Sequence, residues 1–406
     1  MKTGKKCFNV MVKPVGPICN LDCVYCYYLS KEELLNLSGR KPISDDILEK
    51  FIKEYIEGND VADVIFDWQG GEPTLLGLDF FRKIIEIQKR YCPPDKRVLN
   101  NLQTNGTLLD EQWCDFLRDN GFLVGLSIDG PKKYHDKYRK TKRQESAFNK
   151  AFDSAKLMKK HGVQFNTLTV VNRMNAKYPL DVYRFLSREV GPRMMQFIPC
   201  VEPIGFENTA PLHWDITKMP VVGTTTAKLG TLNSIVTDWT IDPDDFGEFL
   251  CKIFDDWYSR DIGKYYVNIF ESCVGVWAGM PSQMCVFHDV CGKALVLEKD
   301  GGIYSCDHFV YSEFKLGNIK ERPLVEAVFS KTQMDFGYAK RRSLPKYCNE
   351  CKYLFACWGE CPKNRFVKTP DGEPGLNYLC QGFKRFFAHT DERFQKLASG
   401  LHKNQL

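Results

Sequence analysis

The sequence predicts an α/β protein whose first half is built from six β/α units with parallel strands, followed by a cysteine-dense terminal third. Three observations predict it. Short apolar, β-rich runs alternate with longer stretches of helical periodicity. Those runs lack polar alternation, as expected of parallel strands covered on both faces. Finally, 8 of the 17 cysteines fall between residues 285 and 380.

The strands are expected at residues 8–15, 64–68, 98–103, 122–128, 164–171 and 194–201. Between them, helical stretches are expected at 44–58, 78–91, 109–120, 146–161 and 176–190. In the first, Ile47, Leu48, Phe51, Ile52 and Tyr55 recur at three- and four-residue intervals, a single apolar stripe. Ser44, with two acids behind it, marks the N-cap, and Gly58 marks the stop. Six units are fewer than the eight of a closed barrel, so a partial barrel and an open doubly wound sheet both fit. In either, chemistry gathers at the C-terminal strand ends, so residues 16–26, 69–73, 104–106, 129–131 and 200–203 should meet at one mouth.

After residue 203 the pattern breaks. Residues 204–242 are rich in Thr, Gly and Pro, and read as an insertion or lid of unassigned role. A helix is expected at 244–260. The division that follows is residues 1–242 for the β/α part, 243–284 for a helical connection, and 285–406 for the cysteine-rich domain.

Composition narrows the partners and the compartment. The 406 residues carry 56 Lys+Arg against 51 Asp+Glu, a net charge of only +5, which implies neither nucleic acid nor a membrane surface as partner. The apolar run 122–128 spans seven residues, far short of the ~20 that cross a bilayer. The apolar stretch 8–12 is too short for a signal-peptide core and Pro14 follows it, so a cytoplasmic address is expected. There, an odd total of 17 cysteines reads as reduced thiols and metal ligands rather than disulfides.

Cys19, Cys23 and Cys26 form C-x3-C-x2-C in the loop after the first strand. Three thiolates suit three corners of a [4Fe–4S] cube, leaving one iron open to a small molecule. Zinc would want a fourth ligand nearby, and the first histidine of the chain is His135. In the terminal third the spacing is Cys285-x5-Cys291-x14-Cys306, then Cys348-x2-Cys351-x5-Cys357-x3-Cys361-x18-Cys380. Eight thiolates satisfy two further cubes or two four-cysteine zinc sites, and the count does not choose between them.

The first motif, followed by Tyr27 and Tyr28, resembles the signature of the radical S-adenosylmethionine (SAM) enzymes. The resemblance implies a partial (β/α)6 TIM-like barrel, and SAM chelating the open iron. Gln69-Gly70-Gly71-Glu72-Pro73 resembles the family's GGEP element, which implies that Gly70, Gly71 and Glu72 hold the SAM amino group. By the same resemblance Ser127, Arg139 and the backbone at Val201 contact SAM; strand-end turn chemistry is the ordinary alternative for Ser127.

The terminal cysteines resemble the SPASM domain, an iron–sulfur module behind radical-SAM cores that modify peptides. This implies one auxiliary cluster on Cys285, Cys291, Cys306 and Cys361 and another on Cys348, Cys351, Cys357 and Cys380, three [4Fe–4S] clusters in all. The six remaining cysteines are expected to be mostly buried small hydrophobes.

Within that group the sequence is similar to the anaerobic sulfatase-maturating enzymes, over nearly the whole chain outside 204–242. The similarity implies oxidation of a sulfatase's active-site Cys or Ser to Cα-formylglycine, with an unfolded sulfatase polypeptide as substrate. Asp307, directly after Cys306, matches the family's base, and Tyr28 matches a substrate-contacting position. Flavodoxin or ferredoxin is the expected electron donor, and a monomer is expected. A rival within the SPASM group is a maturase that forms thioether or C–C crosslinks on a ribosomal peptide.

Overall fold

In the computed structural model, residues 6–35, 39, 41–231 and 233–403 are described. The six expected strands are present as β1 (Asn9–Lys13), β2 (Asp63–Trp68), β3 (Arg97–Thr104), β4 (Leu123–Ser127), β5 (Gln164–Val171) and β6 (Met194–Pro199). Four more follow: β7 (Tyr266–Val267), β8 (Ala294–Glu298), β9 (Gly302–Tyr304) and β10 (Lys315–Asn318). The chain divides into two compact units that interleave along the sequence. One comprises Met1–Ser127, Arg139–Asn166 and Gly292–Gly337, the other Ile128–Tyr138, Thr167–Cys291 and Tyr338–Leu406.

In the first unit, β1 to β4 pair in parallel in chain order. β8 pairs in parallel with β1, from Asn9 opposite Ala294 to Lys13 opposite Glu298. β9 and β10 continue antiparallel beyond it. A segment from the cysteine-dense third thus covers the edge that β1 would otherwise expose.

The helices Asp45–Gly58 and Gly77–Tyr91 cover one face of this sheet. Phe51 meets Phe66 and Trp68 edge-on, Tyr55 meets Phe66, and Phe81 meets Trp68. The expectation of strands buried on both faces is corrected here. β2 and β3 alternate: Val64, Phe66 and Trp68 are buried, while Ile65 is 36% and Leu99 38% exposed. The helices cover only one side, and Asp67, Asn101 and Gln103 stand on the other.

Two helix signals are also sharpened. Ser44 is the N-cap residue, yet its side chain makes no capping hydrogen bond. Gly58 ends its helix not by a left-handed turn but by close packing, since a Cβ there would lie 2.6 Å from Val325 Cγ2.

In the second unit, β5 from Thr167 onward, β6 and β7 pair in parallel. The helix expected at 176–190 is Pro179–Phe185, running into a π-helical turn, Leu186–Val190. Pro243–Arg260 starts where Asp242 accepts from the Asp244 and Asp245 amides. It crosses Cys380–Lys403 so closely that a Cβ on Gly382 would fall 2.2 Å from the Pro243 carbonyl oxygen. Phe254, Phe270, Phe386 and Phe394 fill the core of this unit. Residues 204–242 are mostly irregular. They are tied down by the Pro203–Val236 bridge and by a Val221–Lys368 bridge. Among the described residues no helix is long and apolar enough to cross a membrane.

Candidate active site

In the first unit three strand-end loops meet, as their position after parallel strands requires. The Gln69–Pro73 turn lies flat against the first-cysteine loop: the Gly71 amide donates to the Gly16 carbonyl (2.7 Å) and the Glu72 amide to Ile18 (2.9 Å). Both glycines are obligatory. Gly70 has φ +143°, and a Cβ on Gly71 would sit 2.0 Å from the Ile18 carbonyl oxygen.

Glu72 is fully buried, and its carboxylate accepts from the Thr74 amide, the Thr74 and Thr104 hydroxyls and the Asn105 amide, at 2.7–3.1 Å. Three of these donors converge on Oε1 and only the Asn105 amide reaches Oε2, so Oε2 keeps acceptor capacity. The carboxylate thereby locks the second and third loops together.

The third loop reaches the cysteines. Asn105 Nδ2 donates to Asn20 Oδ1 (2.9 Å) and lies 3.8 Å from Cys19 Sγ, and the Leu21 amide donates to Cys19 Sγ at 3.4 Å. The Cys26 amide donates to the Cys23 carbonyl (2.9 Å), closing a tight turn between the second and third thiols. Cys19, Cys23 and Cys26 all keep intermediate exposure. Burial pushes the Cys19 thiol up to about 11 and also raises Cys26, so positive charge from bound iron is what would stabilise them as thiolates. Ser127 accepts from Gln103 Nε2 at 2.9 Å, and the Arg139 guanidinium lies 5.5 Å from the Tyr25 ring centre.

Asp307 lies in the same unit, at the start of the short turn Asp307–Phe309. Lys13 Nζ lies 2.6 Å from its Oδ1, and the Tyr27 hydroxyl donates to its Oδ2. Burial works against the charged carboxylate, but Lys13, His308 and the Tyr27 hydroxyl outweigh it and hold Asp307 below its ordinary value. It is therefore a carboxylate near neutral pH.

Tyr28 is only 3% exposed, and its hydroxyl donates to both Glu298 oxygens, at 2.6 and 2.8 Å. Glu298 is itself buried, and burial pushes its carboxyl up to about 7. Lys13, Tyr27 and Glu298 were not singled out from the sequence. A signal existed for two of them: Lys13 and Glu298 are charges ending apolar strand runs, where a solvated side chain is not expected.

The second unit holds a cavity lined by Cys348, Cys351, Cys357 and Cys380 with apolar Leu354, Leu376, Phe383 and Phe387. Four cysteines spread around one cavity fit a cube, whose thiolates bind separate irons.

The loop from Cys357 to Cys361 takes left-handed backbone at Trp358 (φ +47°) and Glu360 (φ +50°). The buried Arg365 guanidinium holds it by donating to the Trp358, Gly359 and Glu360 carbonyls. Cys285, Cys291 and Cys361 neighbour one another electrostatically in this unit, whereas Cys306 belongs to the first. Val201 is buried, and its carbonyl accepts from Lys363 Nζ at 2.7 Å; the same ammonium pairs with Glu202 at 2.6 Å. None of the 17 cysteines is in a disulfide among the described residues. Of the six outside the proposed ligand sets, Cys114, Cys200, Cys251 and Cys273 are buried.

Comparison with known proteins places this geometry. Residues 14–186 match the radical SAM superfamily, and residues 285–352 match the SPASM iron–sulfur cluster-binding domain. The chain is 47% identical over 381 residues to a serine-type anaerobic sulfatase-maturating enzyme of Bacteroides thetaiotaomicron, covering 94% of this chain and 89% of that one. It is 32% identical to the cysteine-type enzyme of Clostridium perfringens, covering 97% and 99%. A solved structure described as native anSMEcpe with bound AdoMet and Kp18Cys peptide superposes with a TM-score of 0.81 at 31% identity, over 97% of this chain and 99% of that one. The expected fold class, a partial (β/α)6 barrel with a SPASM domain, therefore holds.

Proposed function

The chain belongs to the anaerobic sulfatase-maturating enzymes of the radical SAM superfamily, and from that premise we propose that it oxidises the active-site serine of an unfolded sulfatase segment to Cα-formylglycine. Serine is preferred over cysteine because of the 47% identity with a serine-type enzyme, against 32% with a cysteine-type one. The observation that carries the reading is the bond from Tyr27, next to cluster-loop Cys26, to the Asp307 carboxylate. It supports the reading because the Asp307 carboxylate is bonded to a residue of the cysteine loop.

Cys19, Cys23 and Cys26 would hold the SAM cluster, and the eight terminal cysteines the two auxiliary clusters. When bound, SAM and a reduced cluster supply the 5′-deoxyadenosyl radical that takes a hydrogen atom from the target Cβ, and an auxiliary cluster supplies the acceptor for the second electron.

The chain's own residues do the rest. The Gly70–Gly71 backbone receives the SAM ammonium, Glu72 fixes the loops around it, and Ser127 and Arg139 lie at the ends of the same loop set. Asp307 accepts the hydroxyl proton of the target as its Cβ becomes the aldehyde carbon. Tyr28, held by Glu298, presents its ring rather than its hydroxyl to the peptide.

We assign residues 1–242 to radical generation, 243–284 to a helical connection and 285–406 to the auxiliary clusters. The enzyme works as a cytoplasmic monomer supplied by flavodoxin or ferredoxin. Anaerobic incubation with SAM, reductant and synthetic sulfatase-motif peptides, followed by mass spectrometry, tests the reading. The serine peptide should lose two hydrogens; oxidation of neither a serine nor a cysteine peptide would remove it.

A further inference from the structure

We propose that Tyr27 and Lys13 are the positioning residues of Asp307, fixing the aim of its carboxylate so that proton removal keeps pace with radical formation. The inference rests on the reading of Asp307 as the base. Asp307 opens a three-residue turn in which Cys306 makes no side-chain cap, so the loop alone leaves the carboxylate free to turn about χ1 and χ2. Two ties stop it. Tyr27 donates to Oδ2 and Lys13 Nζ makes an ion pair with Oδ1, so each oxygen is engaged by a different element.

The clamp is itself braced. Lys13 is the last residue of β1 and only 1% exposed. Burying an ammonium there costs several kcal/mol before any pairing, a cost that an aliphatic side chain would avoid if filling space were the only need. Lys13 Nζ also donates to Gln69 Oε1 at 2.7 Å and stands 4.4 Å from the Tyr28 ring centre. Tyr28 is fastened by Glu298, which sits opposite Lys13 across the β1–β8 pairing. On the far side, the His308 ring meets Tyr27 edge-on at 5.7 Å. A continuous set of contacts therefore runs from the glycine turn through Gln69 and Lys13 to Asp307, and back through Tyr27 to the cysteine loop. Movement of either loop would be felt at the carboxylate.

The test uses the reconstituted full-length enzyme and compares Tyr27→Phe, Lys13→Met and Lys13→Arg with the parent. In Tyr27→Phe, iron content, SAM binding and peptide KM should stay within about twofold. kcat for formylglycine should fall about 10- to 100-fold, the scale of a misplaced reacting group. SAM cleavage should continue, so the ratio of 5′-deoxyadenosine to formylglycine rises by the same factor. Lys13→Arg should restore part of the coupling.

Added to Asp307→Ala, Tyr27→Phe should change nothing further, and a crystal structure of Tyr27→Phe should show the Asp307 carboxylate turned. A parental ratio in Tyr27→Phe, an unmoved carboxylate, or an additional loss on top of Asp307→Ala each overturns the proposal. If Lys13→Met fails to fold, Tyr27→Phe, which removes a single oxygen, decides. Formylglycine made at the parental rate by Asp307→Ala would instead sink the base assignment itself.

Discussion

The three-cysteine loop of the first unit and the four-cysteine cavity of the second offer the same thiols in different surroundings. Around Cys19, Cys23 and Cys26 lie backbone amides, Asn20, Asn105 and the glycine turn. Around Cys348, Cys351, Cys357 and Cys380 lie Leu354, Leu376, Phe383 and Phe387. A polar setting with three thiols suits an iron that must receive a small molecule. An apolar setting with four ligands suits a cluster that only passes electrons, since low polarity and complete ligation keep water and substrates off the metal.

The largest effect should come from breaking the first region. Replacing Cys19, Cys23 and Cys26 together by Ala should abolish SAM cleavage while iron falls from about twelve to about eight per chain. Loss of all iron would mean that the two regions do not load independently. Cys380→Ala should do the converse, removing about four irons and sparing SAM cleavage; if cleavage disappears as well, the division of labour is wrong. Asp307→Ala should lower formylglycine formation by about 10²- to 10⁴-fold, the range of general-base removal, with SAM cleavage measured alongside.

A subtler contrast concerns pH. Glu298, facing Tyr28, Lys13, Asp300 and Asp307, has its carboxyl raised from 4.5 to about 7, chiefly by burial. Between those values the folded state keeps a proton that the unfolded chain has released, so stability falls as pH rises through the window, by up to ~3 kcal/mol. Glu298→Gln should flatten that slope in denaturant titrations at pH 5 and 7; an unchanged slope would show that Glu298 titrates normally. Gly71→Ala, whose Cβ must displace the Ile18 carbonyl, should cost about 1–3 kcal/mol of stability. Its weakened SAM affinity should be visible by equilibrium binding, with the terminal clusters intact.

Much of this was legible in the sequence because it is local. The six β/α units show in hydrophobic periodicity, and the eleven candidate cysteines show in spacing, since turns suited to metal ligation are short. Two of the four donors on Glu72 were not legible: Thr104 and Asn105 lie on another strand end, and only parallel pairing of β2 with β3 brings them to it. Nor was the one-sided burial of β2 and β3, which depends on where the helices lie rather than on the strands' own composition.

The sequence by itself determined the chemistry available here: three thiols in one loop, eight more behind, and a glycine turn beside the first three. Only the tertiary structure decided how Asp307 is held. Lys13, Tyr27 and Glu298 lie up to 294 residues from Asp307, and β8 must pair with β1 before Lys13 faces Glu298. Spacing along the chain fixes what a single turn can ligate, whereas a buried ion pair forms only when the sheet supplies its second half.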